Sequence, residues 1–138
     1  MDENMYLIDL FGVSHDAILS GFFYYKGNIL TIYIDLESEV KYKLTLYGVV
    51  EFRVVEFGMQ NVVSRMIEYK GHSVKYEDVI GILKWVSSSS DSSIYWSDKQ
   101  MFEIFGKIKK NTLSLIYVEP SVGCECAFLF ENYSIEEI

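Results

Sequence analysis

Hydrophobic and polar residues alternate clearly in the first half of the chain. Aliphatic side chains occupy every second position of residues 30–36, and mixed side chains lie between them. This alternation is typical of a half-buried antiparallel strand. Residues 18–25 are also rich in β-forming side chains, and the Lys-Gly-Asn stretch at 26–28 tolerates the positive φ of a tight turn. We therefore predict a hairpin made of residues 18–25 and 29–36.

Strand-like segments continue along the chain. Residues 42–47 alternate Tyr and Leu with Lys and Thr, and Gly48 then interrupts the pattern. Glycine and short polar stretches separate the later candidates. The further predicted strands are residues 49–55, 62–69, 112–118 and 124–130.

Two later segments, residues 73–85 and 98–110, leave the choice between helix and strand open. In residues 73–85 the apolar side chains fall at helical spacing, which favours a short helix. Residues 101–108 also allow a helix, but we prefer a strand because Lys110 and Asn111 would close a hairpin directly. The serine-rich residues 87–93 are predicted to form an exposed loop, too short to divide the chain.

These segments predict a mainly β fold with a minor α component. We expect about seven to eight strands in an antiparallel sheet, a sandwich or a partly open barrel, with one or two short helices. The length of 138 residues suits one globular domain that spans residues 1–138.

The charge balance narrows the class of partner. Twelve basic and 20 acidic residues give a net charge of −8. Such a chain repels phosphate backbones, so no nucleic-acid partner is expected. The one basic cluster, Lys107, Lys109 and Lys110, is too short for a nucleic-acid footprint. The negative charge would favour a basic partner; alternatively, it only keeps the protein soluble.

The termini and cysteines suggest a compartment. The first residues carry acids and no basic leader, and the apolar runs are too short to span a bilayer. We therefore expect a cytoplasmic protein with no membrane contact. Cys124 and Cys126 would share one face of a strand, where a disulfide would be strained, so we expect two reduced, packed thiols.

No catalytic or cofactor signature is recognisable in the sequence. The best acid–base candidate is His15 beside Asp16. His15 could act as a base oriented by the carboxylate, or both residues could close a turn before the first long strand. We favour the turn, and we expect no catalytic residue, no cofactor and no metal.

Two other polar groups are candidates for a role. Gln60 and Asn61 stand between apolar segments, where their amides could satisfy backbone groups as strands part. Asp35, Glu37 and Glu39 form an acidic cluster at a strand end, which could be one edge of a surface that grips a basic partner.

The order of these features resembles a known family. A Ser-His-Asp turn at 14–16 leads into a long strand and a hairpin, then into Tyr-Lys-Leu-Thr-Leu-Tyr-Gly-Val at 42–49 and Phe-Gly-Met-Gln-Asn-Val at 57–62. Over residues 14–63 this is similar to the immunity protein fifty family and its relatives in bacterial polymorphic toxin systems. Those proteins tend to have an aromatic residue where this chain has Ser14.

The resemblance implies an antidote that binds and neutralises a cognate toxin domain, with no catalytic residues. A basic toxin domain is the partner that the charge and the resemblance together favour. The alternatives are a structural or oligomerising β-domain, for which a homo-oligomer is possible, and an enzyme that uses His15 and Asp16.

Overall fold

The computed structural model describes residues 6–88 and 96–138. Within them lie three helices, α1 (Leu7–Gly12), α2 (Tyr76–Val86) and α3 (Asp98–Lys109). The eight strands are β1 (Ile18–Tyr25), β2 (Ile29–Asp35), β3 (Lys41–Tyr47), β4 (Glu51–Val55), β5 (Val62–Tyr69), β6 (Ser114–Val122), β7 (Glu125–Phe130) and β8 (Asn132–Glu137). The predicted mainly β fold is confirmed.

All eight strands belong to one antiparallel sheet, in the order β4-β7-β6-β5-β1-β2-β3-β8. The strands β3 and β4 follow each other closely, as do β7 and β8. Glu131 N donates to Tyr47 O and Val50 N donates to Leu129 O, so the pairing of β3 with β8 passes directly into that of β4 with β7. The pairings therefore form a circuit, and the sheet curls around an interior.

The interior is filled by the apolar side chains that alternate along the strands. Leu30, Ile32 and Ile34 from β2 meet Leu44 and Leu46 from β3, and all five are at most 1% exposed. Helix α1 adds Leu7 and Leu10 to the same cluster. The alternation seen in the sequence therefore does decide which side of these strands is buried.

A second core lies on the other side of the sheet. Helices α2 and α3 pack over the outer side of β6 and β7, where they bury an apolar layer. That layer consists of Val79, Leu83, Met101, Phe105, Ile108, Leu113, Leu115 and Leu129. None of the helices in the described ranges is long and apolar enough to cross a membrane.

The strand preferred for residues 101–108 is wrong, because this segment lies within α3. Ser97 caps the helix: its hydroxyl accepts from Gln100 N, and the Gln100 side chain accepts from Ser97 N. This reciprocal capping satisfies two backbone donors, and Met101, Phe105 and Ile108 then bury one helical face. The capping signal and the helical face together outweigh the possible hairpin.

Other boundaries also differ from the sequence-based expectation. Helix α2 begins at Tyr76 rather than at residue 73, and β6 extends through Pro120 to Val122. Helix α1 and strand β8 were not predicted, and the described residues form three helices rather than the expected one or two. Most of the predicted loop at 87–93 lies outside the described residues.

Candidate protein-binding face

The outer side of β1, β2, β3 and β8, here called the uncovered face, has no helix packed on it among the described residues. The strand registers align Tyr33 with Lys43 and Thr31 with Thr45. Large side chains therefore project in rows from neighbouring strands. The uncovered face is defined by Phe23, Tyr25, Tyr33, Lys43, Tyr47 and Ser134.

Aromatic rings supply most of the apolar area of this face. Phe23, Tyr25 and Tyr47 are 54, 43 and 40% exposed. The rings of Phe23 and Tyr25 lie 4.4 Å apart between centroids, and Tyr47 Oη lies 3.2 Å from Ser134 Oγ. The rings thus form a partly ordered surface rather than a set of isolated side chains.

Two buried threonines lie among these rings. Thr31 and Thr45 are 2 and 8% exposed although they are on the outer side of the sheet, and their hydroxyl oxygens lie 3.4 Å apart. Lys43 also lies on this face, with its Nζ 3.4 Å from Glu136 Oε1. The hydrogen bond from Lys43 to the Glu136 carboxylate, followed by the charge of that carboxylate, raises the pKa of Lys43. A lysine held in this way presents a fixed charge.

The acidic cluster lies where β2 turns into β3, at one end of the uncovered face. Glu37 and Glu39 are exposed in the turn, and Glu39 has a φ of 73°. Asp35 differs, because Lys41 Nζ lies 3.3 Å from its carboxylate and Ser20 Oγ donates to it at 3.4 Å. The structure therefore separates two exposed acids from one that is already paired.

His15 and Asp16 form the predicted turn before β1, and Asp16 has a φ of 65°. His15 Nδ1 lies 2.9 Å from Ser64 O, its Nε2 lies 3.6 Å from Asp16 Oδ2, and its side chain is 74% exposed. The bond to the Ser64 carbonyl, then the Asp16 charge, raises the pKa of His15. Both ring nitrogens thus face protein acceptors in an open turn, which fits a local structural role.

The amides of Gln60 and Asn61 differ in their surroundings. Asn61 is 4% exposed; its Oδ1 accepts from Gly58 N at 2.9 Å, and its Nδ2 donates to Gly58 O at 2.9 Å and to Leu19 O at 3.3 Å. Gln60 is exposed, and its side chain makes no hydrogen bond within the described part of the chain. Asn61 therefore has the geometry expected of a backbone-satisfying amide, and Gln60 does not.

Some other ionisable side chains in the described part of the chain are partly or fully buried. Tyr117 donates a hydrogen bond to Glu125, and burial followed by this bond raises the pKa of Tyr117. Cys124 and Cys126 are free, buried thiols, and burial raises the pKa of Cys126. Within residues 6–88 and 96–138, no group of three or more His, Cys, Asp or Glu side chains could hold a metal ion.

The uncovered face itself is not evident from the sequence. The alternation in β2 and β3 marks an outer row that includes Tyr33, Lys43 and Tyr47, but it does not say whether a helix covers that row. No family model, no curated protein and no solved structure matches the chain.

Proposed function

We propose that the chain is an immunity-type protein that binds and neutralises a cognate bacterial toxin domain through the uncovered face. The observation that carries the proposal is the row of half-exposed rings, Phe23, Tyr25 and Tyr47, on a sheet surface that none of the described helices covers. Tyrosine and other aromatic side chains supply much of the binding energy in protein interfaces. The resemblance over residues 14–63 supplies the class of partner.

The charge of the chain supports a basic partner. The net charge of −8 creates a negative field that accelerates encounter with a positive surface. Glu37 and Glu39 are exposed at one end of the uncovered face, and Asp35 is the paired member of the same cluster. Rings at the centre and acids at the rim match the usual division between affinity and steering.

The direct test first identifies a candidate toxin domain by sequencing the genes that flank the gene of this chain. The purified chain is titrated with that domain, and the growth of cells that express the toxin is measured with and without the chain. We expect a 1:1 complex and restored growth. A toxin domain that neither binds the chain nor loses toxicity in its presence would contradict the proposal.

The binding face is tested with matched aromatic variants. Tyr47→Ala should weaken toxin binding at least tenfold, about 1.4 kcal/mol, if this ring is an anchor. Phe102→Ala is the control, because Phe102 is 62% exposed but lies on α3, which packs over β6 and β7, away from the uncovered face. Equal losses from both variants, or a loss from Phe102→Ala alone, would contradict the assignment of the face.

The acidic rim is tested by charge reversal. Replacing Glu37 and Glu39 by Lys should slow association and flatten its dependence on salt, while the fold survives. Replacing Glu77 and Glu103 by Lys gives the same change in net charge on α2 and α3. If the two pairs slow association equally, the overall charge acts rather than the rim. Adding Asp35→Lys should reduce the rate further, because it also removes the partner of Lys41.

A further inference from the structure

Strand β1 has an open edge. Its pairing with β5 consists of Ile18 opposite Val62, and Leu19 N donates to Asn61 O at 2.9 Å just beyond that pair. Past this point β1 pairs only with β2 among the described residues. The backbone of residues 21–25 is here called the open edge. In the described part of the chain it has no strand partner on the side that faces β5.

The Asn61 side chain lies where the pairing between β1 and β5 ends. Its Nδ2 donates to Leu19 O, where the next backbone amide of a longer neighbouring strand would donate. The loop before Asn61 then packs its Phe57 ring against Phe22, 5.5 Å between centroids, in an edge-to-face contact. Beyond it, Phe23, Tyr24 and Tyr25 are each at least 43% exposed.

The open edge differs in its charge from β4 and β8, the first and last strands in the sheet order. Strand β4 carries Glu51 and Arg53, and Arg53 Nη1 donates to Trp85 O at 2.9 Å, which ties this edge to α2. Strand β8 carries Glu136 and Glu137. Charged side chains and covering elements are the usual protection of an edge strand against further pairing. Residues 21–25, Gly-Phe-Phe-Tyr-Tyr, contain no charge.

We propose that a second copy of the chain pairs with this edge, with the two β1 strands antiparallel about a two-fold axis at Phe23. Antiparallel strands related by a two-fold axis are self-complementary in their backbone hydrogen bonds. Two molecules of net charge −8 repel each other, so an uncharged segment is where their surfaces meet at least electrostatic cost.

The side chains suit this register. Gly21 of one copy lies opposite Tyr25 of the other, so the aromatic ring covers the backbone that glycine leaves bare. Phe22 of one copy lies opposite Tyr24 of the other, which makes an aromatic cross-strand pair. The dimer joins the two uncovered faces into one sheet surface. This inference goes beyond the proposed function, because it concerns the chain alone.

Cysteine cross-linking tests the register. Directly opposed residues of antiparallel strands have Cα atoms about 4.5–5.5 Å apart, within the range of a disulfide. Phe23→Cys should therefore form a covalent dimer under mild oxidation, while the unmodified chain with its buried Cys124 and Cys126 should not. Tyr47→Cys on the uncovered face and Ser134→Cys on β8 are the controls. A monomeric Phe23→Cys, or equal cross-linking at a control position, would overturn the proposal.

The mass of the unmodified chain in solution gives an independent test. Light scattering should show twice the monomer mass, and the dimer fraction should rise with salt, which screens the repulsion between the two acidic copies. Phe23→Lys should give a monomer of unchanged circular dichroism, because it places two cations opposite each other, whereas Tyr47→Lys should stay dimeric. If the chain is monomeric at high salt and high concentration, the dimer proposal is overturned. That result does not bear on toxin binding, which the titration with the toxin domain tests separately.

Discussion

The two halves of the sheet use their outer sides differently. On β6 and β7, α2 and α3 cover Leu115 and Leu129 completely, and both are 0% exposed. On β1 and β3, Phe23 and Tyr47 keep about half of their surface in solvent. The interior core is one continuous cluster with residues from both halves. The two halves therefore differ in how their outer sides are covered and not in their interior packing.

The difference indicates which half serves stability and which serves recognition. A layer of aliphatic side chains under two helices contributes to folding through the apolar area that it removes from water. Exposed rings contribute less to folding, and they remain available to a partner. If this division is right, substitutions in the covered half change the free energy of unfolding, and those in the uncovered half change binding.

The largest effect should come from the covered half. Leu129→Ala removes a side chain packed beneath α2 and α3, and we expect a loss of about 2–5 kcal/mol in the free energy of unfolding. Tyr47→Ala removes an exposed ring and one hydroxyl contact, with an expected loss of about 1 kcal/mol or less. Denaturant unfolding of both variants measures the contrast, which disappears if the two losses are equal.

Two glycines test the turns of the sheet: Gly123 lies between β6 and β7, and Gly48 lies between β3 and β4. Gly123 has a φ of +82°, and a Cβ there would lie 2.1 Å from the backbone oxygen of Gln60. Gly123→Ala should therefore lose more than the roughly 1–2 kcal/mol that the left-handed conformation costs alone.

Gly48→Ala is the matched control for Gly123→Ala. Gly48 has a φ of +63°, and the nearest atom to its Cβ would be the Glu131 side chain, at 2.4 Å. An exposed carboxylate side chain can rotate away, so we expect a smaller loss, close to the conformational cost. Thermal or denaturant unfolding measures both variants. A larger loss of stability in Gly48→Ala than in Gly123→Ala would contradict this explanation of the two turns.

Most of the sheet could be predicted from the sequence, since strict alternation in residues 29–36 and 42–47 marks both the strand and its buried side. The helical conformation of residues 101–108 could also have been predicted, because Ser97 and Gln100 stand at the spacing of a capping box. Helix α1 is only six residues long, which is too short for a clear periodicity. The acids and the His15 turn could be placed from their positions at the ends of predicted strands.

The uncovered face could not be predicted from the sequence, because it depends on where α2 and α3 pack. The outer positions of β6 and β7 include Leu115 and Leu129, and those of β3 include Lys43 and Tyr47. This contrast hints at different environments, but only the tertiary arrangement shows that the helices lie over β6 and β7.

The seam between the halves offers a smaller effect. Asn61 joins the loop before β5 to Leu19 on β1, and loss of its side chain removes the hydrogen bonds to the buried Leu19 carbonyl and to the Gly58 backbone amide. Asn61→Ala should cost about 1–3 kcal/mol. Gln60→Ala is the neighbouring control and should change stability by about 0.5 kcal/mol or less, because Gln60 is exposed. Equal melting temperatures for Asn61→Ala and the unmodified chain would show that the amide does not hold the seam.

The smallest effect concerns His15, at the acidic end of the uncovered face. The pKa of His15 is raised from its ordinary 6.5, first by the Ser64 carbonyl, then by Asp16, and least by Glu37. Because the folded pKa lies above the unfolded one, the stabilisation is fully present below pH 6.5 and is lost as the pH rises through the folded pKa. Because the His15 side chain is largely exposed, the change in the free energy of unfolding should be slight, and a nuclear magnetic resonance titration of His15 is the better measurement.

Asp16→Asn should lower the pKa of His15 more than Glu37→Gln does. Neither variant should remove the whole rise in pKa, since the Ser64 carbonyl remains. A larger decrease in the His15 pKa from Glu37→Gln would mean that the β2–β3 turn lies closer to His15 than Asp16 does. His15 would then belong directly to the acidic rim of the uncovered face.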